Sequence, residues 1–332
     1  MFRRRSFLAA VPSAGCLVAA AAPPDAEAPY PSEPVKLVAP FSAGGSADAS
    51  ARLLAVHAPR HLPNKQASIV VENRPGASGA IGTTAVARAA PDGLTLLLAR
   101  TASSAILPAM DPRTPYAWDE FTFLGLLHET PFVVCVGADA PWRRLGDLVG
   151  ALREAPGRLS FATSGPATVL DLGVRQFFAS AGLPIDAGTA IPFRGGAEAV
   201  AAVVSGQAHF VGCGVTDAMA ALSARTVRAL VLGGRDGNAA LLPGVPTAKE
   251  ADVESLAAIT GWSAVFGPDA LPANVTEAWA RAIASLASDR AWMEATRKTG
   301  SAPRLWSPDA TRDFLRAQIA LYGDLAKRLG LT

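Results

Sequence analysis

Val35-Lys36-Leu37-Val38-Ala39-Pro40-Phe41-Ser42-Ala43-Gly44-Gly45-Ser46-Ala47-Asp48 reads as a strand running into a glycine turn, and Ala49-Ser50-Ala51-Arg52-Leu53-Leu54 continues it as a helix. Gly44 and Gly45 let the backbone take positive φ and approach a bound group closely. The first N–H groups of a helix lack partners within it and carry partial positive charge, so a strand–turn–helix corner of this type suits an anion. Ser46 reads as the N-cap and Asp48 as a first-turn acid that complements the helix dipole. Neither requires a ligand to account for it.

Working outward, the signals alternate. Strand Val35–Phe41 leads into a helix to about His61, then strand Ser68–Glu72. The turn Asn73-Arg74-Pro75-Gly76-Ala77-Ser78-Gly79, a helix near Ala80–Ala90 and strand Leu94–Leu98 follow. This βαβαβ order predicts an α/β fold with a mainly parallel sheet and helices on both faces, and such sheets bind ligands beyond the carboxyl ends of their strands. A second alternating unit starts at strand Leu159–Ala162 and the loop Thr163–Thr168, with a helix over about Val169–Ala181. It continues through Ile191-Pro192-Phe193, the turn Arg194-Gly195-Gly196, a helix to Val204 and strands at Ala208–Val211 and Val227–Val231. Trp262–Phe266 reads as a crossing strand, with Trp262 as core, and two amphipathic helices close the chain over about Ala273–Ala287 and Pro308–Leu329. Two lobes with glycine turns at their strand ends make a cleft. The division expected is 30–131 plus 250–332 for lobe 1 and 132–249 for lobe 2.

Composition excludes several classes. With 332 residues, 50% hydrophobic and 17% charged, the chain can bury a large core and is not disordered. A formal charge of +2, part of it from Arg3, Arg4 and Arg5, gives no basic field for nucleic acid. Residues 1–28 have the layout of an export signal: a basic start, an apolar stretch interrupted by Pro12, then small residues. Arg4-Arg5-Ser6-Phe7-Leu8 also fits the twin-arginine pattern. Ser13-Ala14-Gly15-Cys16 resembles a lipid-anchor box at Cys16, but Ser13 stands where such boxes usually have Leu. The expected location is the periplasm. Cys135 and Cys213 each sit in an apolar run that suits a buried free thiol.

Catalytic patterns are missing. Gly-x-Ser-x-Gly does not occur, nor does a phosphate loop, and Gly212-Cys213-Gly214 lacks the third glycine of a dinucleotide fingerprint. His57 and His61 have metal-pair spacing, but Pro59 between them breaks the helix on which that spacing would matter. The chain is expected to be no enzyme, to need no cofactor and to hold no metal.

The residues resemble the periplasmic solute-binding proteins of tripartite tricarboxylate transporters, the Bug-type family, over about Tyr30 to Leu329. The resemblance rests on Pro40-Phe41-x-x-Gly44-Gly45-x-x-Asp48, Val71-Glu72-Asn73-Arg74-Pro75-Gly76-Ala77-x-Gly79 and Ala90-Pro91-Asp92-Gly93-x-Thr95-Leu96-Leu97. Pro192-Phe193-Arg194-Gly195, Gly206-Gln207 and Leu242-Pro243-x-Val245-Pro246-Thr247 extend it in order. It implies a two-lobed receptor of the type II periplasmic-binding class that closes on a small organic carboxylate and delivers it to membrane transporter subunits; the chain itself is expected to be monomeric.

The same resemblance places ligand contacts at Ser42, Gly44, Gly45 and Asp48 of lobe 1 and at Gly165, Thr168, Arg194 and Gly195 of lobe 2. Arg194 carries a planar fork able to grip a carboxylate in bidentate fashion. Departures from the family pattern line the expected cleft. Gly165-Pro166-Ala167-Thr168-Val169-Leu170-Asp171-Leu172 lacks a second glycine and a histidine, Thr101-Ala102-Ser103-Ser104 lacks a glycine and a histidine, and Cys213 replaces an Asp. Thr101, Ser103 and Asp171 therefore join the candidate residues, Asp171 either as a ligand acceptor or as a first-turn helix charge. The lost histidine fits a less acidic or partly apolar carboxylate.

Overall fold

A computed structural model describes residues 29–166, 168–234, 238–328 and 330; the export signal and Cys16 lie outside the described residues. In chain order its main elements begin with β1 Val35–Ala39, α1 Ser46–His57, β2 Ile69–Asn73, α2 Ala80–Ala87, β3 Thr95–Arg100, α3 Leu107–Met110 and β4 Phe121–Gly137. They continue with α4 Leu145–Glu154, β5 Ser160–Thr163, α5 Val169–Ser180, β6 Thr189–Pro192, α6 Gly196–Val204, β7 Phe210–Gly214, α7 Val215–Ser223 and β8 Val227–Leu232. β9 Thr260–Pro268, α8 Ala273–Ser285, α9 Arg290–Lys298, β10 Ala302–Trp306 and α10 Pro308–Arg328 complete the order.

The strand order is β2-β1-β3-β9-β4-β7-β5-β6, with β8 and β10 also paired to β4. β1 pairs parallel with β2 and β3, and β5 pairs parallel with β6 and β7, as the two alternating units imply. The antiparallel pairs come from β4 and β9, which cross between the units. β4 runs for 17 residues, its first part in the sheet of β1, β3 and β9 and its last part in the sheet of β5 to β8. Sequence reading found only its apolar end at Phe132–Val136, because His128-Glu129-Thr130-Pro131 interrupts the apolar run. It also missed α9 and β10.

One apolar cluster runs through both halves, from Val38 and Phe266 to Phe161 and Phe210, and each half adds a further cluster of its own. α1 and α8 cover one face of the first sheet through Leu54, Leu96, Leu98, Val265 and Trp279, all essentially inaccessible. Trp262 is a core residue, packed edge-on against Phe314. Helix α1 stops at His57 and a 3₁₀ turn carries Ala58–His61, since Pro59 cannot supply the next helical N–H. His57 instead bonds through Nδ1 to Asp289, the N-cap of α9, at 2.7 Å. Cys135 and Cys213 are buried free thiols, raised in pKa by burial.

The second half is fitted around Phe132. A Cβ on Gly212 of β7 would stand 2.4 Å from the Phe132 ring and 2.6 Å from Val174. Gly212→Ala should lower stability by about 1–3 kcal/mol through overpacking, read as an earlier urea midpoint with an unchanged slope.

Candidate functional site

The apolar face under α1 ends in a polar row. In the register of the sheet, Arg100 of β3 lies opposite Ser263 of β9, and Ser263 lies opposite His128 of β4. Direct cross-strand partners share a face, so the alternation Leu96, Leu98, Arg100 carries a guanidinium onto the face that the leucines fill lower down. Arg100 donates to the Ser263 hydroxyl at 2.5 Å and to the Ser46 hydroxyl at 3.2 Å. Among the described residues no carboxylate reaches it as an ion pair. Desolvation lowers the pKa of Arg100 to about 10, and the charge of Asp217 on α7 opposes that shift. Burial in turn raises Asp217 above its ordinary range, partly offset by Arg100.

A cavity of about 40 Å³ adjoins Arg100, between the flank of α1 and the α9–β10 turn. Ser46 and Ser50 face it from α1, and His128 and Thr130 from β4. Thr216 of α7 and Ser301 close it, and their hydroxyls, 3.4 Å apart, join the two halves. Ser301 also meets the Thr130 hydroxyl at 3.1 Å. His128 is buried, bonded through Nε2 to Ser50 at 3.0 Å, and its pKa is pushed down to about 3 by burial and then by the charge of Arg100. The cavity thus combines one cation, a neutral imidazole and several hydroxyls.

Of the residues expected from sequence, Ser42, Gly44 and Gly45 lie exposed on the turn before α1. The N-cap is Gly45, not Ser46: Gly45 holds the extended backbone, and the Ser46 hydroxyl is taken by Arg100. Asp48 is buried and turned back on the turn, accepting from the Gly44 N–H at 3.0 Å and from Arg52 at 2.9 Å; Arg52 and then Gly44 hold its pKa down to about 2. It occupies one of the backbone donors expected to be open. Thr101 is also buried: its oxygen accepts from the Trp262 N–H at 2.9 Å. Ser103 lies under Tyr116, whose hydroxyl donates to the Ser103 carbonyl.

On the other unit, Thr168 caps α5, accepting from the Asp171 N–H, and donates to the Gly165 carbonyl at 2.8 Å. Asp171 is buried and paired with Arg175 at 3.0 Å, so its carboxylate serves the helix. Gly195 is the N-cap of α6; the Arg194 side chain extends into solvent, its Nε 4.0 Å from Glu198, while the Arg194 backbone N–H donates to Glu198 at 2.8 Å. The row through Arg100 and His128 escaped sequence reading. The clues were an Arg at an inward strand position and three polar residues inside the apolar run of β4.

A family model described as the tripartite tricarboxylate transporter family receptor matches residues 51–331. The chain belongs to this family. Among curated relatives, the protein BugT of Bordetella pertussis is 29% identical over 316 residues, covering 93% of each chain. Two solved structures from Rhodopseudomonas palustris share the fold at 25% identity: Rpa4515 with adipate, TM-score 0.80, over 91% of this chain and 98% of that one, and MatC with bound malate, TM-score 0.76, over 89% and 99%. The family is one of periplasmic solute receptors, and its two-lobed fold accounts for the pair of alternating units joined by β4 and β9.

Folding lowers the pKa of Arg100, so its charged form weighs against the ligand-free fold; Arg100→Met should leave the thermal midpoint unchanged or raise it, whereas a loss above about 2 kcal/mol would contradict this. The depressed pKa of His128 means that the unfolded chain takes up a proton that the folded chain refuses. That contribution is complete above pH 6.5 and is lost as pH falls toward about 3. His128→Gln should therefore shrink the stability lost between about pH 7 and about pH 4.5 by an amount on the order of 1–3 kcal/mol in urea titrations.

Proposed function

We propose that the chain is an exported periplasmic receptor that holds one small organic carboxylate between its two lobes and passes it to the membrane subunits of a tripartite tricarboxylate-type transporter. The lobes are residues 30–131 with 250–332, and residues 132–249. The observation that carries this reading is Arg100, a desolvated cation that among the described residues bonds only to the hydroxyls of Ser46 and Ser263 beside the start of α1. A carboxylate supplies the charge that such a group lacks, through charge-assisted bonds of about 1.5–3 kcal/mol. The malate and adipate held by the two relatives are of that chemical class.

The exposed turn Ser42–Gly45 and the loops that carry Gly165, Thr168 and Gly195 form the rims, although Asp48 and Glu198 already take the N–H groups of Gly44 and Arg194. A space of about 40 Å³ holds only a few water-sized groups, so entry of a carboxylic acid requires the halves to part, with β4 and β9 as the connections that flex. The protein acts as a monomer and without a cofactor.

Thermal-shift screening against mono-, di- and tricarboxylates tests the reading. A ligand at about a hundred times its Kd should stabilise the fold by about 2.7 kcal/mol, and Arg100→Met should abolish the shift. A panel in which no carboxylate raises the midpoint would end the proposal.

A further inference from the structure

The cavity beside Arg100 has a hydrogen-bonding bias more selective than positive charge. Ser50 donates its hydroxyl hydrogen to the Ser46 carbonyl at 2.9 Å. In its 3.0 Å contact with His128 the serine oxygen therefore accepts, and Nε2 of the ring donates. This fixes the tautomer and leaves Nδ1 as a bare acceptor. Nδ1 is buried and has no partner among the described residues, and the same holds for Oγ1 of Thr296, which lines the same cavity from α9. The other hydroxyls there have partners: Ser46 accepts from Arg100, Thr130 and Thr216 meet Ser301, and Thr299 bonds to the Thr296 carbonyl at 2.7 Å and lies 3.3 Å from Ser301.

An acceptor and a guanidinium lining one cavity narrow the groups that fit. A second carboxylate would set its lone pairs against Nδ1, and an ammonium would meet the charge of Arg100. A hydroxyl is neutral, donates to Nδ1 and can accept from Thr296, and about 40 Å³ accommodates it. Arg100 and His128 line one cavity, so an acid anchored by its carboxylate at the first places its remaining atoms in the space that the second also borders.

We propose that His128 is a specificity-determining residue: its Nδ1 accepts the hydrogen of a hydroxyl carried next to the ligand's carboxylate, which makes a 2-hydroxy carboxylate the preferred ligand. This rests on the reading of Arg100 as the carboxylate anchor.

Calorimetric titration of the full chain with matched acids tests it, using lactate against propionate and malate against succinate. In each pair that binds, the hydroxy acid should bind at least about tenfold tighter than its deoxy partner. His128→Leu should cut that ratio below about threefold while the deoxy acid keeps its affinity. Because a leucine at this buried position can disturb folding, Ser50→Ala provides a second arm: it keeps the ring, removes the group that fixes its tautomer, and should also reduce the ratio. Equal binding within every pair by the unaltered protein overturns the role of His128 and leaves the receptor reading in place. A ratio that survives His128→Leu in a folded protein overturns it as well, and so does failure of all four acids to bind, which leaves the receptor reading to the wider carboxylate panel.

Discussion

A single strand, β4, belongs to both halves of the molecule, and most of what surrounds the site follows from that. Its 17 residues pair with β9 and β10 at one end and with β7 and β8 at the other. A strand shared in this way cannot be polar on one side along its whole length, because both faces are covered in each sheet. Apart from Thr122 near its start, its polar side chains gather at the place where one sheet gives way to the next, at His128-Glu129-Thr130. Glu129 is buried there and held by Arg304, which also bonds Asn238. The register slips between Leu126 and His128 against β9, the kind of irregularity that re-aims a side chain, and His128 arrives opposite Ser263.

The row of Arg100, Ser263 and His128 sets stability against binding. Desolvation weighs against the charge of Arg100 in the ligand-free fold, and the same charge helps to keep His128 neutral. Asp217, from the other half, is near enough to feel Arg100 yet makes no ion pair with it among the described residues. A ligand carboxylate would relieve the cation directly and, through it, alter the balance between the halves. On the function proposed above, binding and closure are one electrostatic event, in the manner of ligand-driven population shift.

Much of the fold was legible because it depends on local pattern. The run Val35–Ala39, the Gly44-Gly45 turn and the helix behind it appear where the apolar alternation and turn chemistry place them, and so do the parallel pairs of each unit. The site was less legible because it depends on register. Nothing in the local sequence says that Arg100 and His128, far apart in the chain, meet across β9. Asp48 and Asp171 were visible as acids at helix starts, but whether such an acid faces a ligand or a neighbouring arginine is decided by packing, and both proved to face arginine. Arg194 drew notice as a cation in a glycine turn, where its length carries it into solvent.

The most direct measurement is a crystal structure of the protein grown with whichever carboxylate stabilises it most. The account predicts a carboxylate oxygen within hydrogen-bond distance of the Arg100 guanidinium, beside the start of α1. A ligand bound elsewhere, with Arg100 still held only by Ser46 and Ser263, would contradict it.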